Sequence, residues 1–219
     1  QRQMCIRDRL WMVILVLALS LAACSQGSNQ SSDSNSTSKK GNNKVKYHRI
    51  VSLMPSNTEI LYRLGLGNNI VGVSTVDDYP KDVKKGKKQF DAMNLNKEKL
   101  LKAKPDLILA HESQKSSSGK VLNSLKKDGV KVFYVKDAQS INETYDTFKT
   151  IGKITGREHQ AQDLVDETKK NVDKVVNSVP KHHKKQSIFM EVSSKPDIYT
   201  AGKGTFFDDM LNQLDAKNS

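Results

Sequence analysis

RIVSLMPSNTEILYRLGLG, residues 49–67, decides how this chain is read. Residues 49–53 form a short run dominated by Ile, Val and Leu, the pattern of a strand buried on both faces. Pro55-Ser56-Asn57 then turns the chain. From residue 58 to 64 the apolar positions Ile60, Leu61 and Leu64 recur at helical spacing, and Gly65 and Gly67 stop the helix. A buried strand, a tight turn and a one-sided helix are the first half of a βαβ unit.

Working outward, the same alternation continues. Residues 70–73 read as a strand, 97–103 as a helix ended by Pro105, and 107–110 as a strand. A helix over 121–127 closes at Gly129, a strand follows over 131–135, and a helix over 141–155 closes at Gly156. Strands alternating with helices imply right-handed crossovers and a parallel sheet.

Residues 157–179 break that rhythm. Ala161, Leu164, Val165, Thr168, Val172, Val175, Val176 and Val179 follow one helical face, with no Gly or Pro before Pro180. Such a helix is roughly 33 Å long at 1.5 Å per residue. Strand patterns resume at 187–192 and 197–200, followed by Gly202-Lys-Gly204 and a helix over 205–214. The expectation is an α/β protein: a first lobe over 47–156, a connecting helix over 157–179, and the start of a second lobe over 180–219.

The amino-terminal residues have another character. Arg2, Arg7 and Arg9 precede an uncharged run over 10–21, too short for a stable membrane span, which needs about 20 apolar residues. A basic segment, a short apolar core and a small-residue exit describe an export signal. Its end, Leu21-Ala-Ala-Cys24, resembles the lipobox of bacterial lipoproteins, which implies a diacylglyceryl group on Cys24 and removal of residues 1–23. The polar stretch over 24–46 then spaces the folded part from the membrane. Cys5 falls in the removed segment, so no thiol remains for a disulfide or a metal.

The formal charge is +12, from 36 basic and 24 acidic residues. The lysines are scattered, with no aromatic interleaving and no nucleic-acid motif, so the balance fits an anionic envelope surface better than nucleic acid. No GxSxG, P-loop or HExxH motif is present, and Gly65-Leu-Gly67 follows a helix where a dinucleotide loop follows a strand. The residues therefore give no support to an enzyme, which stays as an alternative of another class.

Several stretches in order resemble one family: residues 49–74, then DDYP at 77–80, NLNKEKLLKAKPDLILA at 94–110, the long helix, and IYTAGKGTFFDDMLNQL at 198–214. Together they are similar to the cobalamin and ferric-siderophore substrate-binding proteins of ABC importers. The resemblance implies two Rossmann-like lobes with parallel sheets bridged by one backbone helix, and a ligand held between the lobes. It also implies a permease with a cytoplasmic ATPase as partner, and a monomer lipid-anchored on the extracytoplasmic face. No cofactor is implied. The chain departs from the pattern by starting at Gln1 and stopping after one strand–helix portion of the second lobe. On this reading that lobe is incomplete, and Phe189, Tyr199, Phe206 and Phe207 lack partners.

In an open parallel sheet the ligand lies beyond the carboxyl ends of the strands. Three loops are expected there. Pro55, Ser56 and Asn57 lead into a helix N-terminus, whose free N–H groups favour an anionic or carbonyl-rich edge. Tyr79 sits in a stretch resembling the family's Tyr-Pro loop, and His111-Glu112 follows the strand over 107–110. Phe90 and His111 match positions implied by the resemblance to face the ligand, and flat aromatic faces suit a corrin or a catecholate. The resemblance also assigns Glu98 to permease docking. A bare Zn or Mn ion would need several converging His and carboxylate ligands. Of five histidines only His111 is a cleft candidate, so direct metal binding, like haem, is an alternative to the chelate.

Overall fold

The computed structural model describes residues 44–180 and 184–219. The export signal, Cys24, nearly all of the spacer, and His182 and His183 lie outside the described residues.

Five parallel strands form the main sheet. They are β1 (Ile50–Ser52), β2 (Ile70–Ser74), β3 (Lys88–Phe90), β4 (Leu107–His111) and β5 (Lys131–Val135), in the spatial order β3-β2-β1-β4-β5. Side chains alternate between its two faces, as the pleat requires. Ile50, Leu107 and Leu109 join one buried cluster, while Val51, Ile108 and Ala110 join the other. All six are fully buried, which explains why these strands read as continuous apolar runs.

Helix α1 (Pro55–Arg63) carries the chain from β1 to β2 and packs Ile60 and Leu61 on the first face. Helices α2 (Lys97–Lys102), the short α3 (Gln114–Ser117) and α4 (Gly119–Lys127) follow. From α2 and α4, Leu100, Leu122 and Leu125 bury against the opposite face. Right-handed crossovers require this. Moving outward from β1 to β2 puts the helix on one face, and moving the other way to β4 and β5 puts it on the other.

Helix α5 (Ile141–Thr155) returns over the first face and ends at Gly156, whose φ of 75° suits a glycine cap. It packs closely on α6 (Glu158–Ser178). Gly152 makes the approach possible, because a Cβ there would overlap the Ala161 methyl and lie 3.0 Å from the Arg157 carbonyl oxygen. At its start α6 buries Ala161, Leu164 and Val165. Farther along, Val172, Val175 and Val176 line an apolar groove with Met210 and Leu214.

After α6 the predicted strand over 187–192 is two short strands, β6 (Ser187–Ile188) and β7 (Glu191–Ser193). The chain changes pairing partner between them. β6 pairs with β9 (Lys217–Asn218), while β7 pairs with β8 (Tyr199–Thr200). Helix α7 (Phe206–Gln213) is capped by the Thr205 hydroxyl, and Asp209 accepts a 2.9 Å bond from the Ile141 N–H at the start of α5. Phe189, Tyr199 and Phe207 are exposed, as are Val192 and Ile198. Phe206 differs from the expectation: it is half-buried and lines a cavity with Ser56, Asn57 and His111.

The α5–α6 contact gives a stability test. Gly152→Val gains helix propensity, less than about 1 kcal/mol, but drives a side chain into Ala161 and a backbone carbonyl, an overlap costing about 1–3 kcal/mol. A lowered midpoint in thermal unfolding is expected; an unchanged midpoint would show that the two helices can separate freely.

Candidate functional site

The strand order has one reversal. From β1 the chain goes to β2 on one side, and later strands continue from β4 on the other. Neither crossover covers the carboxyl ends of β1 and β4, so a crevice opens there, the usual ligand position in open α/β sheets.

The loop after β1 is fixed by a small buried network. The Thr58 hydroxyl donates to Ser52 Oγ at 2.8 Å, and the Thr58 N–H donates to the Met54 carbonyl at 3.1 Å. Met54 occupies the N-cap of α1 without a side-chain bond, and Pro55 takes the first helical position, where its missing N–H costs nothing. The first turn of α1 therefore keeps a positive end free toward the crevice.

Gln114 joins this loop to the one after β4. Its side chain is 3% exposed. Its Oε1 accepts from the His111 N–H at 2.9 Å, and its Nε2 donates to the Leu53 carbonyl at 2.8 Å. One amide side chain thus satisfies a buried backbone group on each of the two strands that flank the reversal. The Leu53 N–H reaches the Leu109 carbonyl at 2.9 Å, continuing the ladder to the crevice.

The His111 ring is oriented by Ser113. Its Nδ1 accepts from the Ser113 N–H at 3.3 Å and lies 2.8 Å from Ser113 Oγ. Nε2 stands 3.5 Å from Asp137 Oδ1. Among the described residues no group of three or more His, Cys, Asp or Glu side chains could hold a metal ion.

Ser56, Asn57 and His111 come together around a cavity of about 260 Å³ that Lys136, Asp137 and Phe206 also line. A second cavity of about 300 Å³ shares Val135–Ala138 and Thr147 with it. Other expected site residues stand elsewhere. Phe90 is 4% exposed and packs in the core against Gly72 and Val51, so it presents no face to a ligand. As the last residue of β3 it points to the inner face, a position the resemblance alone cannot separate from the adjoining loop. Glu112 does not line the cavity. Its carboxylate pairs with Lys115 at 2.6 Å, and that hydrogen bond and charge hold it below the ordinary glutamate range. Tyr79 is exposed on the loop between β2 and β3 and does not line this cavity, and Pro55 shapes the turn without lining it.

The sequence reading overlooked Gln114, Lys136 and Asp137. Lys136-Asp137 directly follows a strand, and the rule that singled out His111 would have found the pair. Gln114 lies in the polar run Glu112-Ser-Gln-Lys-Ser-Ser117 and gives no signal.

Gln114→Leu leaves two backbone groups without their partner, each costing about 1–3 kcal/mol, so a loss of about 2–6 kcal/mol is expected in urea unfolding. An unchanged midpoint would mean that the loops after β1 and β4 hold their geometry unaided.

Comparisons with known proteins bear on this arrangement. A model of the periplasmic binding protein family matches residues 50–219. An uncharacterized ABC transporter substrate-binding lipoprotein of Bacillus subtilis is 44% identical over 230 residues, covering 97% of this chain and 72% of that protein. The vitamin B12-binding protein of Salmonella typhimurium is 28% identical over 170 residues, covering 78% of this chain and 61% of that protein. A crystal structure of a possible iron-binding, periplasmic solute-binding protein from Staphylococcus epidermidis superposes with a TM-score of 0.76 at 83% identity, covering 79% of this chain and 67% of that one. The chain therefore spans about two thirds of the length of the relatives it matches. Its parallel sheet with helices on both faces is the α/β arrangement of these binding proteins. This chain belongs to the periplasmic binding protein family, the substrate-binding proteins of ABC transporters, which bind solutes and are not enzymes.

Proposed function

We propose that this chain is the extracytoplasmic receptor of an ABC importer, capturing a metal chelate of the cobalamin or Fe(III)-siderophore type and delivering it to a permease with a cytoplasmic ATPase. The observation that carries the reading is the crevice at the β1/β4 reversal. There an uncapped helix N-terminus, the oriented His111–Asp137 pair and the Phe206 ring line one cavity. At about 260 Å³ it takes one edge or side arm of a chelate, below the usual range of a whole ligand pocket. A B12-binding relative supports a chelate over a bare ion.

Delivery needs two further features. Anchoring rests on Leu21-Ala-Ala-Cys24, and acyl labelling of the expressed protein tests it: label that survives Cys24→Ala rules it out. Docking rests on Glu98. It is exposed in the first turn of α2, and no ion pair engages it among the described residues. It is not needed as a cap, because Asn96 Oδ1 already accepts the Lys99 N–H at 2.9 Å. A first-turn carboxylate also gains about 0.3–1 kcal/mol from the helix dipole, so stability and transport must be separated.

Two measurements check the proposal. Calorimetric titration with cobalamin, ferric siderophores, haemin and ZnCl₂ should give binding to a chelate and none to the free ion; tight binding of Zn²⁺ alone reverses the assignment. Glu98→Arg should leave chelate affinity unchanged while uptake in reconstituted vesicles falls at least about tenfold, equivalent to about 1.4 kcal/mol of lost docking energy. Normal uptake with a lowered melting temperature would reduce Glu98 to a helix-end residue.

A further inference from the structure

Polar burial is unevenly placed in this molecule. Nine polar or charged side chains are buried among the described residues, and seven belong to the carboxyl-end side of the sheet: Ser52, Asn57, Thr58, Ser74, Asp77, Gln114 and Ser118. Six of the seven make at least one hydrogen bond, with Asp77 Oδ1 left without a partner. Ser52 and Thr58 bond each other, Asp77 Oδ2 accepts from the Ser74 N–H, and the Ser74 hydroxyl accepts from the Val76 N–H. Gln114 joins two loops, and Ser118 Oγ donates to the Ala92 carbonyl. Asn57 is the exception. It is 1% exposed, and neither its Nδ2 nor its Oδ1 has a partner. It is the only described residue with two buried unpartnered side-chain atoms.

A buried amide without partners is costly, about 1–3 kcal/mol per group, and native proteins rarely keep one for packing alone. Asn57 lies in the first turn of α1 and lines the cavity shared with His111 and Asp137. Its amide offers an acceptor and two donors side by side. The group that satisfies both edges at once must itself donate and accept, as a carboxamide does. A carboxylate satisfies the NH₂ group but sets its own oxygens against Oδ1. Asp137, close by, further disfavours an anion there, while Lys136 on the same cavity acts the other way.

We propose that Asn57 recognises a carboxamide on the periphery of the bound chelate and so favours amide-bearing chelates over carboxylate-bearing ones. This rests on the receptor reading above and narrows its ligand class. Corrinoids with amide side arms and ferric hydroxamates with amide-containing chains meet the requirement. Haem, with propionates, and ferric citrate do not.

Two matched comparisons test it on the full chain by calorimetry: dicyanocobinamide against dicyanocobyrinic acid, which share a corrin ring, and ferrioxamine B against ferric citrate. In the unmodified protein the amide-bearing member of at least one pair should bind more tightly. Asn57→Leu should weaken that member about ten- to a hundredfold, the loss of one or two hydrogen bonds, and change the carboxylate-bearing member by less than about threefold. Its melting temperature should stay level or rise, since an apolar side chain removes two unpartnered polar atoms. Asn57→Ser, which keeps one donor and an acceptor, should recover part of the affinity and serves if the leucine variant does not fold. Unchanged affinity for the amide member, or equal loss for both members with the fold intact, overturns the proposal. So does an unmodified protein that binds the carboxylate member as tightly. If none of the four chelates binds, the receptor reading falls and this inference falls with it.

Discussion

Two strands that lead to crossovers in opposite directions cannot be closed over by either crossover, and the gap between them must be held open by something else. In this chain the Gln114 amide does it, accepting from His111 and donating to Leu53 across the β1/β4 boundary. The geometry of the crevice depends on that bridge. It sets how far the first turn of α1 stands from the loop after β4, and hence whether Ser56, Asn57 and His111 address one cavity. A hydrophobic residue could fill the same volume but could not satisfy both backbone groups, and the two loops would then be free to choose other spacings.

Much of the fold was legible because both faces of the sheet are covered. Burial on two faces makes β1 and β4 read as apolar runs, and the covering helices show their apolar positions at the expected spacing. What escaped notice was what lacks that signal. β3 has Lys88 and Gln89 exposed at a sheet edge and only Phe90 buried, so three residues carry one apolar position. The α3 turn, Gln114–Ser117, has no apolar side chain at all. The single strand expected over 187–192 is divided because the chain exchanges one pairing partner for another at Phe189 and Met190, a tertiary event that no local pattern records.

The candidate site was legible in part, for a related reason. Topology tells which ends of the strands matter, and it led to Ser56, Asn57 and His111. It does not tell which way a side chain points at a strand's last residue. Phe90 shows this: one step along the chain separates a ring that faces solvent from one that packs against Val51 and the face of Gly72. His111 shows the converse. It ends β4 after four fully buried residues, yet is only partly covered and turns toward Ser113 and Asp137.

The two ends of the sheet are built on different physics. The interior is held by non-directional burial of Ile50, Leu61, Leu107, Leu109 and Ile151, all wholly buried, and tolerates any apolar set of similar volume. The carboxyl end spends burial on hydroxyls, amides and a carboxylate, all but Asn57 tied to a particular neighbouring group. Such networks add little net stability, about 0.5–1.5 kcal/mol per bond, but penalise every geometry other than the one that satisfies them. That is what a preformed binding crevice needs: rigidity of shape where the ligand edge must fit, supported by a core that supplies stability without dictating position. Within that network Asn57 is the one side chain that makes no hydrogen bond at all, and it lines the cavity where, on the proposal above, a ligand edge completes it.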